Sequence, residues 1–415
     1  MGCCDVPGLM PIESALTNML SELNNVCDPI CLPLADTLGY ALAEDIFSPL
    51  NVPSFNNSAM DGYALSQSDL CECTTAKNIT LKQVGTAFAG VPYEGDIPAG
   101  CCIRIMTGAV MPESVDTVVI QEAVSAQDGL ITFSSNPRLG DNVRLAGEDL
   151  KLGQKVLTKC HQLTPRDIPL LASLGLNEIS VFRQLKVAVL SSGDELKSLG
   201  EPLNKGDIYD SNRYSMIALL SRLNAKVIDF GIVKDDKKAL IEAFTKADEV
   251  ADVVISSGGV SVGEADFIKE ILSELGSISF WKIAIKPGKP FAFGHLPHSV
   301  FFGLPGNPVS ALVTLDQLAV PAMNKLSGAV VKPRIRFNAI TQDKIKKRPG
   351  RTDFQRGIYS INESGQVIVE SSGKQGSGVF SSMSQSNCFI VLEQQRGTVS
   401  IGETVIIEPY TKLLD

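Results

Sequence analysis

Four short segments gather groups able to handle anions or metal ions. SSGDEL, at 191–196, offers backbone N–H groups to an anion while Asp194 and Glu195 stay available to a cation. A turn into a helix with capping acids is the plainer alternative. SSGGVSVGEAD, at 256–266, carries Gly258, Gly259 and Gly263, enough for backbone to approach a phosphate closely. It ends on Asp266, which reads either as a ligand or as an N-cap. WKIAIKPGKP sets Lys282, Lys286 and Lys289 around a Pro-Gly turn, suited to a polyanion or to a solvated hairpin tip. LPGNP places Asn307 as an N-cap and Pro308 at the first helical position, and the Pro305–Pro308 bracket makes the loop rigid.

Carboxylates recur in other loops: Asp61 in NNSAMDGYAL, Asp149 in LAGEDL and Asp235 after IVK. Singly, each reads as a turn residue sooner than as a ligand. As a set beside phosphate-binding loops they suit Mg²⁺, which takes few protein ligands plus substrate oxygens. Neither GxGxxG nor GxxxxGK[ST] occurs, which excludes a dinucleotide fingerprint and a P-loop. His161, His295 and His298 form no Ser/His/Asp arrangement, and the ten cysteines include no CxxC pair. A zinc site is therefore unsupported.

These loops need elements to hold them. Residues 12–23 put Ile12, Leu16, Met19, Leu20 and Leu23 on one face of a helix. From 55 to 147, short runs (NITLKQV, CIRIM, DTVVI, LITFS) alternate with turns and predict a small inserted β domain. TPRDIPLLASLG predicts a helix with Thr164 as N-cap, Pro165 at its first position and Gly175 as its stop. Packed against the first helix, it would complete a discontinuous N-terminal domain of residues 1–54 and 148–184. Residues 185–327 alternate strand and helix, which predicts a doubly wound parallel α/β domain. Ligands of such sheets bind at the carboxyl ends of strands, where SSGDEL, the acids at 235–236, SSGGVSVGEAD and LPGNP all fall. Residues 328–415 predict a C-terminal β domain of five strands without obvious helix.

The 415 residues allow several domains, and a formal charge of −9 argues against a nucleic-acid coat or an anionic-membrane surface. No run of 18 apolar residues appears, so no membrane span is expected. The N-terminus lacks a secretory pattern, and free thiols in a cytoplasmic protein are expected. The charge is uneven. Lys344, Lys346, Lys347, Arg348, Arg351 and Arg356 face only Asp353 within 344–356, a local excess of five positive charges.

NSAMDGYAL, RIMTGAVMP, AGEDL, SSGDEL, IYDSNRYSMIALL, SSGGVSVGEAD, KPGKPFAFG, LPGNPVSALV and RPGRTDFQRG follow one another from about residue 10 to 410. In that order they resemble the MoeA and gephyrin E-domain family of molybdopterin molybdenumtransferases. The resemblance implies a homodimer of four-domain subunits and an α/β domain shared with molybdopterin adenylyltransferases, which become possible contacts. It implies that adenylylated molybdopterin is hydrolysed, AMP leaves and molybdate joins the dithiolene in the presence of Mg²⁺. Carried over, Asp61, Thr107 and Asp149 match polar positions needed for activity. Glu195, Asp235 and Asp266 match acids around the metal and the nucleotide phosphates. Lys282 and Lys286 would contact the pterin phosphate or molybdate, with Pro305 and Pro308 in the rigid loop beside them. Arg356 and Ser377 would face the partner subunit's pocket. The Cys-rich N-terminus and CEC at 71–73 fall outside the family pattern. Two rival readings are an adenylyltransferase or nucleotide pyrophosphohydrolase, which the α/β domain alone would fit, and a non-enzymatic scaffold.

Overall fold

A computed structural model describes residues 8–71, 79–133, 137–258, 270–271, 274–410 and 414. They form two compact units: Met1–Ala43 with Cys160–Thr164 and Ile179–Asp415, and Glu44–Lys159 with Pro165–Glu178. Helix α1 (Ile12–Glu22) buries Ile12, Ala15 and Met19, with Leu23 just beyond its end, in the main core of the first unit.

The second unit is built on β1 (Gly62–Leu65), β2 (Ile79–Ala87), β3 (Cys101–Ile105), β4 (Thr117–Ile120), β5 (Val124–Gln127) and β6 (Leu130–Phe133). They make one six-stranded sheet in the order β4-β1-β3-β2-β6-β5, with only β2 and β3 parallel. Both faces are apolar. Tyr63, Leu65 and Cys102 enter one core and Ala64, Ile103 and Ile105 the other, so the strands read as continuous apolar runs. Helix α2 (Asp167–Ser173) starts two residues later than Thr164 and Pro165 predict. The reason is Pro169. A start at 165 would require a backbone donor there, whereas a start at 167 places it in the first turn, where none is needed.

In the first unit, β7 (Lys186–Ser192), α3 (Asn212–Arg222), β8 (Lys226–Val233), α4 (Lys237–Val250) and β9 (Val253–Ser257) follow the expected alternation. The helix that the alternation requires after β9 falls partly outside the described residues; 270, 271, 274 and 275 are helical. Next come β10 (Ser277–Lys282), β11 (Ile285–Lys286), β12 (Pro290–His295), β13 (Val300–Leu304), α5 (Pro308–Thr314) and α6 (Val320–Leu326), with a π-helical turn, Leu315–Ala319, joining the two helices. The sheet order is β8-β7-β9-β13-β12-β10: four parallel strands extended by an antiparallel edge. Val187 and Val189 pack on one face with Met216 and Leu219 of α3. Ala188 and Leu190 pack on the other with Leu240 and Phe244 of α4, as a doubly wound sheet requires. The partner of α1 is α6, not the helix over 167–173, because α1's apolar stripe enters this same core beside Met323 and Leu326.

The chain ends in β14 (Phe337–Thr341), β15 (Thr352–Ile361), β16 (Val367–Ser371), β17 (Cys388–Leu392) and β18 (Thr404–Pro409). These five strands close on themselves through a β15–β17 pairing, and β11 adds to β15 in parallel. One helical turn, Ser381–Ser384, interrupts the all-strand expectation.

Candidate functional site

The two central parallel strands stop on hydroxyls: Ser191 and Ser192 on β7, Ser256 and Ser257 on β9. The start of α3 ties their ends together. Asn212 donates from Nδ2 to Ser257 Oγ at 2.7 Å and to the Gly306 carbonyl at 2.8 Å. Buried Asp210 accepts from Ser191 Oγ at 3.1 Å and from Arg213 Nε at 2.9 Å. Within this frame Ser192 Oγ, Ser256 Oγ and Asn212 Oδ1 are buried without a hydrogen-bond partner. Such orphans each cost about 1–3 kcal/mol, and they mark where a ligand's polar groups belong. Gly258 lies against this frame at φ +95°, and a Cβ on it would sit 2.4 Å from the Ser192 carbonyl oxygen.

Sequence reasoning missed Asn212 and the two hydroxyls as a polar set. The signal was present in IYDSNRYS, a polar cluster opening a helix just beyond a strand end. SSGDEL leads into a two-residue strand rather than a helix, so its acids cap nothing. Glu195 and Asp235 are both exposed, and their loops touch where the Asp235 N–H donates to Asp194 Oδ1 at 3.3 Å. The capping task at 235–236 belongs to Asp236, which accepts from the Ala239 N–H. Asp266 lies outside the described residues.

The lysines converge through β11. Ile285 and Lys286 pair with Thr352 and Asp353, which brings KPGKP against the barrel. Lys286 Nζ lies 2.9 Å from Asp353 Oδ2, an oxygen that Gln355 Nε2 also donates to at 3.1 Å. A groove of about 400 Å³ is lined by Lys286, Lys289, Pro305, Asn307, Arg351 and Ser377, among others. Its Gly306 packs beside Gly258, so the groove adjoins the strand ends. A wider groove of about 950 Å³ shares Lys286, Lys289 and Arg351 and adds the basic residues 344–348. Lys282 ends β10 exposed and lines neither groove. Pro308 opens α5 behind the loop.

Arg356 is placed inside the protein rather than in a groove. Its guanidinium donates to Ser382 Oγ at 3.0 Å and to the carbonyls of Gly376 at 3.1 Å and Lys374 at 3.4 Å. It therefore braces the loop that carries Ser377. Arg356→Lys, which cannot span these acceptors, should cost about 2 kcal/mol of stability. A lowered urea midpoint checks this, and an unchanged one would show the bracing to be idle.

In the second unit, Asp61 and Thr107 meet. Asp61 Oδ1 accepts from the Thr107 N–H at 2.8 Å and from its hydroxyl at 2.7 Å. The backbone N–H and then the hydroxyl hold the Asp61 carboxyl below its usual value. Thr107→Val removes the second donor and should move that carboxyl upward in an NMR pH titration; no movement would mean the hydroxyl does not bond in solution. Asp149 is exposed on a loop whose backbone bonds to Val52.

Among the described residues no group of three or more His, Cys, Asp or Glu could hold a metal, and no helix is long and apolar enough to cross a membrane. Among the described residues Cys27, Cys101, Cys102, Cys160 and Cys388 are free thiols.

Three family models match in order: the MoeA N-terminal region (domain I and II) over residues 10–175, a probable molybdopterin binding domain over 188–325, and the MoeA C-terminal region (domain IV) over 338–410. A molybdopterin molybdenumtransferase of Haemophilus influenzae is 52% identical over 408 residues, covering 98% of this chain and 100% of that protein. One from a Nostoc species is 33% identical, covering 97% and 93%. The crystal structure of the molybdopterin biosynthesis MoeA protein from Pyrococcus horikoshii OT3 superposes with a TM-score of 0.83 at 28% identity, covering 97% of this chain and 100% of that one. With the fold, the strand-end loops and the family match agreeing along its whole length, the chain belongs to the MoeA family of molybdopterin molybdenumtransferases.

Proposed function

We propose that this chain inserts molybdenum into adenylylated molybdopterin with Mg²⁺-assisted release of AMP, the last step of molybdenum cofactor synthesis. The observation that carries the reading is the adjacency of two unlike sites. Orphaned hydroxyls and a carboxamide oxygen lie at the strand ends, and beside them runs a groove lined by Lys286, Lys289, Arg351 and Ser377. The first suits the polar groups of a nucleotide. The second suits an oxyanion, which is recognised by charge-assisted donors.

Cleaving a phosphoanhydride needs positioning and charge neutralisation more than a strong nucleophile. Lys286 is held for that task by Asp353, and Pro305 fixes the loop facing it. Glu195 and Asp235, with Asp266, would hold Mg²⁺; two neighbouring exposed carboxylate loops fit an ion that completes its shell with substrate oxygens. When bound, the ion would neutralise charge on the phosphoryl oxygens. Within the second unit, Asp61 and Thr107 form a preset acceptor–donor pair. A homodimer, contact with a molybdopterin adenylyltransferase that hands over the substrate, and a cytoplasmic site belong to this reading.

The test supplies adenylylated molybdopterin, Mg²⁺ and molybdate, then follows AMP release and activation of an apo-molybdoenzyme. AMP release without molybdate dependence would sink the insertion claim. Full Mg²⁺-dependent turnover in Asp266→Asn would remove that residue from the metal assignment.

A further inference from the structure

The segment 344–348 is built to hold cations outward. Its backbone is extended, because Ile345 exchanges hydrogen bonds with Val399 at 3.0 and 2.9 Å and buries its side chain in the barrel core. Lys347 also points inward. Its ammonium donates to the carbonyls of Arg396 at 2.8 Å, Gln394 at 3.3 Å and Arg348 at 3.4 Å. Burial holds it below the ordinary lysine value, with Lys286 and Arg351 pushing the same way against Asp353 and Glu393. In an extended chain neighbours alternate sides, so Ile345 and Lys347 inside leave Lys344, Lys346 and Arg348 exposed together.

All three line the wider groove and none lines the smaller one, while Lys286, Lys289 and Arg351 line both. Among the described residues Asp353 is the one carboxylate lining the wider groove, and Lys286 already engages it. At about 950 Å³ that groove is far too wide to fit a tetrahedral oxyanion closely. Exposed cations on long, flexible side chains make brief contacts rather than a fixed cage. A protein of net charge −9 would repel a dianion from its surface at large, and this row reverses the sign where the oxyanion must enter.

We propose that Lys344, Lys346 and Arg348 form an electrostatic approach path that gathers molybdate and delivers it to the Lys286–Lys289–Arg351 groove, without contacting the pterin substrate. The inference rests on the molybdenum-insertion reading above.

The test compares full-length wild type with K344Q/K346Q/R348Q, varying molybdate at saturating adenylylated molybdopterin and Mg²⁺. At about 0.01 M ionic strength, where the Debye length is about 30 Å, the molybdate KM of the variant should rise about tenfold, with kcat and the pterin-substrate KM unchanged. At about 0.1 M, with a Debye length of about 10 Å, the gap should narrow. K344R/K346R/R348K should keep the wild-type KM. Lys346→Glu, which leaves Ile345 and Lys347 in place, should raise it by itself and covers the case of a triple variant that folds poorly. An unchanged molybdate KM in a wild type that turns over overturns the inference alone. So does a rise in the pterin-substrate KM instead, which would assign the row to the pterin phosphate. A wild type without molybdate-dependent turnover overturns the functional reading and this inference with it.

Discussion

Gly258→Ala is expected to lower molybdate-dependent turnover by at least about 100-fold while the protein still unfolds cooperatively, since displacing reacting groups by about 1 Å is enough for such a loss. Two effects combine at this position. Its φ of +95° is one that side chains rarely adopt, and the strain costs on the order of 1–3 kcal/mol. The added Cβ would also meet the Ser192 carbonyl oxygen at 2.4 Å, a backbone atom that cannot swing away. The ends of β7 and β9 must then part, carrying Ser192 Oγ and the neighbouring Gly306 loop out of place. Gly365→Ala separates strain from crowding, because φ there is +78° with nothing within 4 Å of the new carbon. That variant should lose stability and keep its activity. Wild-type turnover in Gly258→Ala would show that the spacing of these strand ends is unimportant.

Arg334→Met is expected to cost about 3–5 kcal/mol, the range for removing one partner of a buried ion pair. Arg334 Nη1 lies 2.8 Å from Asp316 Oδ2 and 3.0 Å from Glu408 Oε1, and both carboxylates are almost fully buried. Gln317 Nε2 donates to the same two oxygens at 2.9 and 2.6 Å, and Arg336 reaches Glu408 Oε2 at 2.8 Å. Asp316 sits in the π-helical turn and Glu408 on β18, so the cluster joins the helical layer to the barrel. Burial raises the Asp316 carboxyl above its ordinary value of 3.8, and Arg334 opposes that rise. A carboxyl raised in this way binds its proton more tightly folded than unfolded. Stability therefore falls as pH climbs from the ordinary aspartate value through the folded one, and is level beyond it. Without Arg334 the opposition is gone, so the falling stretch should reach higher pH. Urea midpoints measured across pH for both proteins check this; superimposable profiles would mean Arg334 does not act on Asp316.

Much of the architecture was legible because core-facing residues repeat at the period of their element. Val187 and Val189 against Ala188 and Leu190 announce a strand buried on both faces. What the sequence could not show is which distant segments meet. Asp61 and Thr107 are joined because Gly62 and Ile105 are register partners at the ends of β1 and β3, so the residues just beyond them converge. No local pattern encodes that register. The lysines of KPGKP and the basic run at 344–351 stood out separately, but a pairing of two residues, Ile285 and Lys286 on β15, decides that they share a groove. Such a strand is too short for any periodicity. Arg356 reads as part of the basic cluster and, by resemblance, as facing the partner subunit's pocket, and only the packing shows it inside, bracing a loop.

The same short pairing governs whether the barrel can exist by itself. β15 changes partner along its length: Asp353–Gly357 pairs with β17 and Gly357–Ile361 with β16. Its opening residues, Thr352 and Asp353, find their other neighbour only in β11. Excised as residues 337–410, the barrel would keep its closed ring but bare a stretch of unpaired backbone there, a template for association between copies. Its solubility is thus borrowed from a dipeptide about fifty residues upstream of β14.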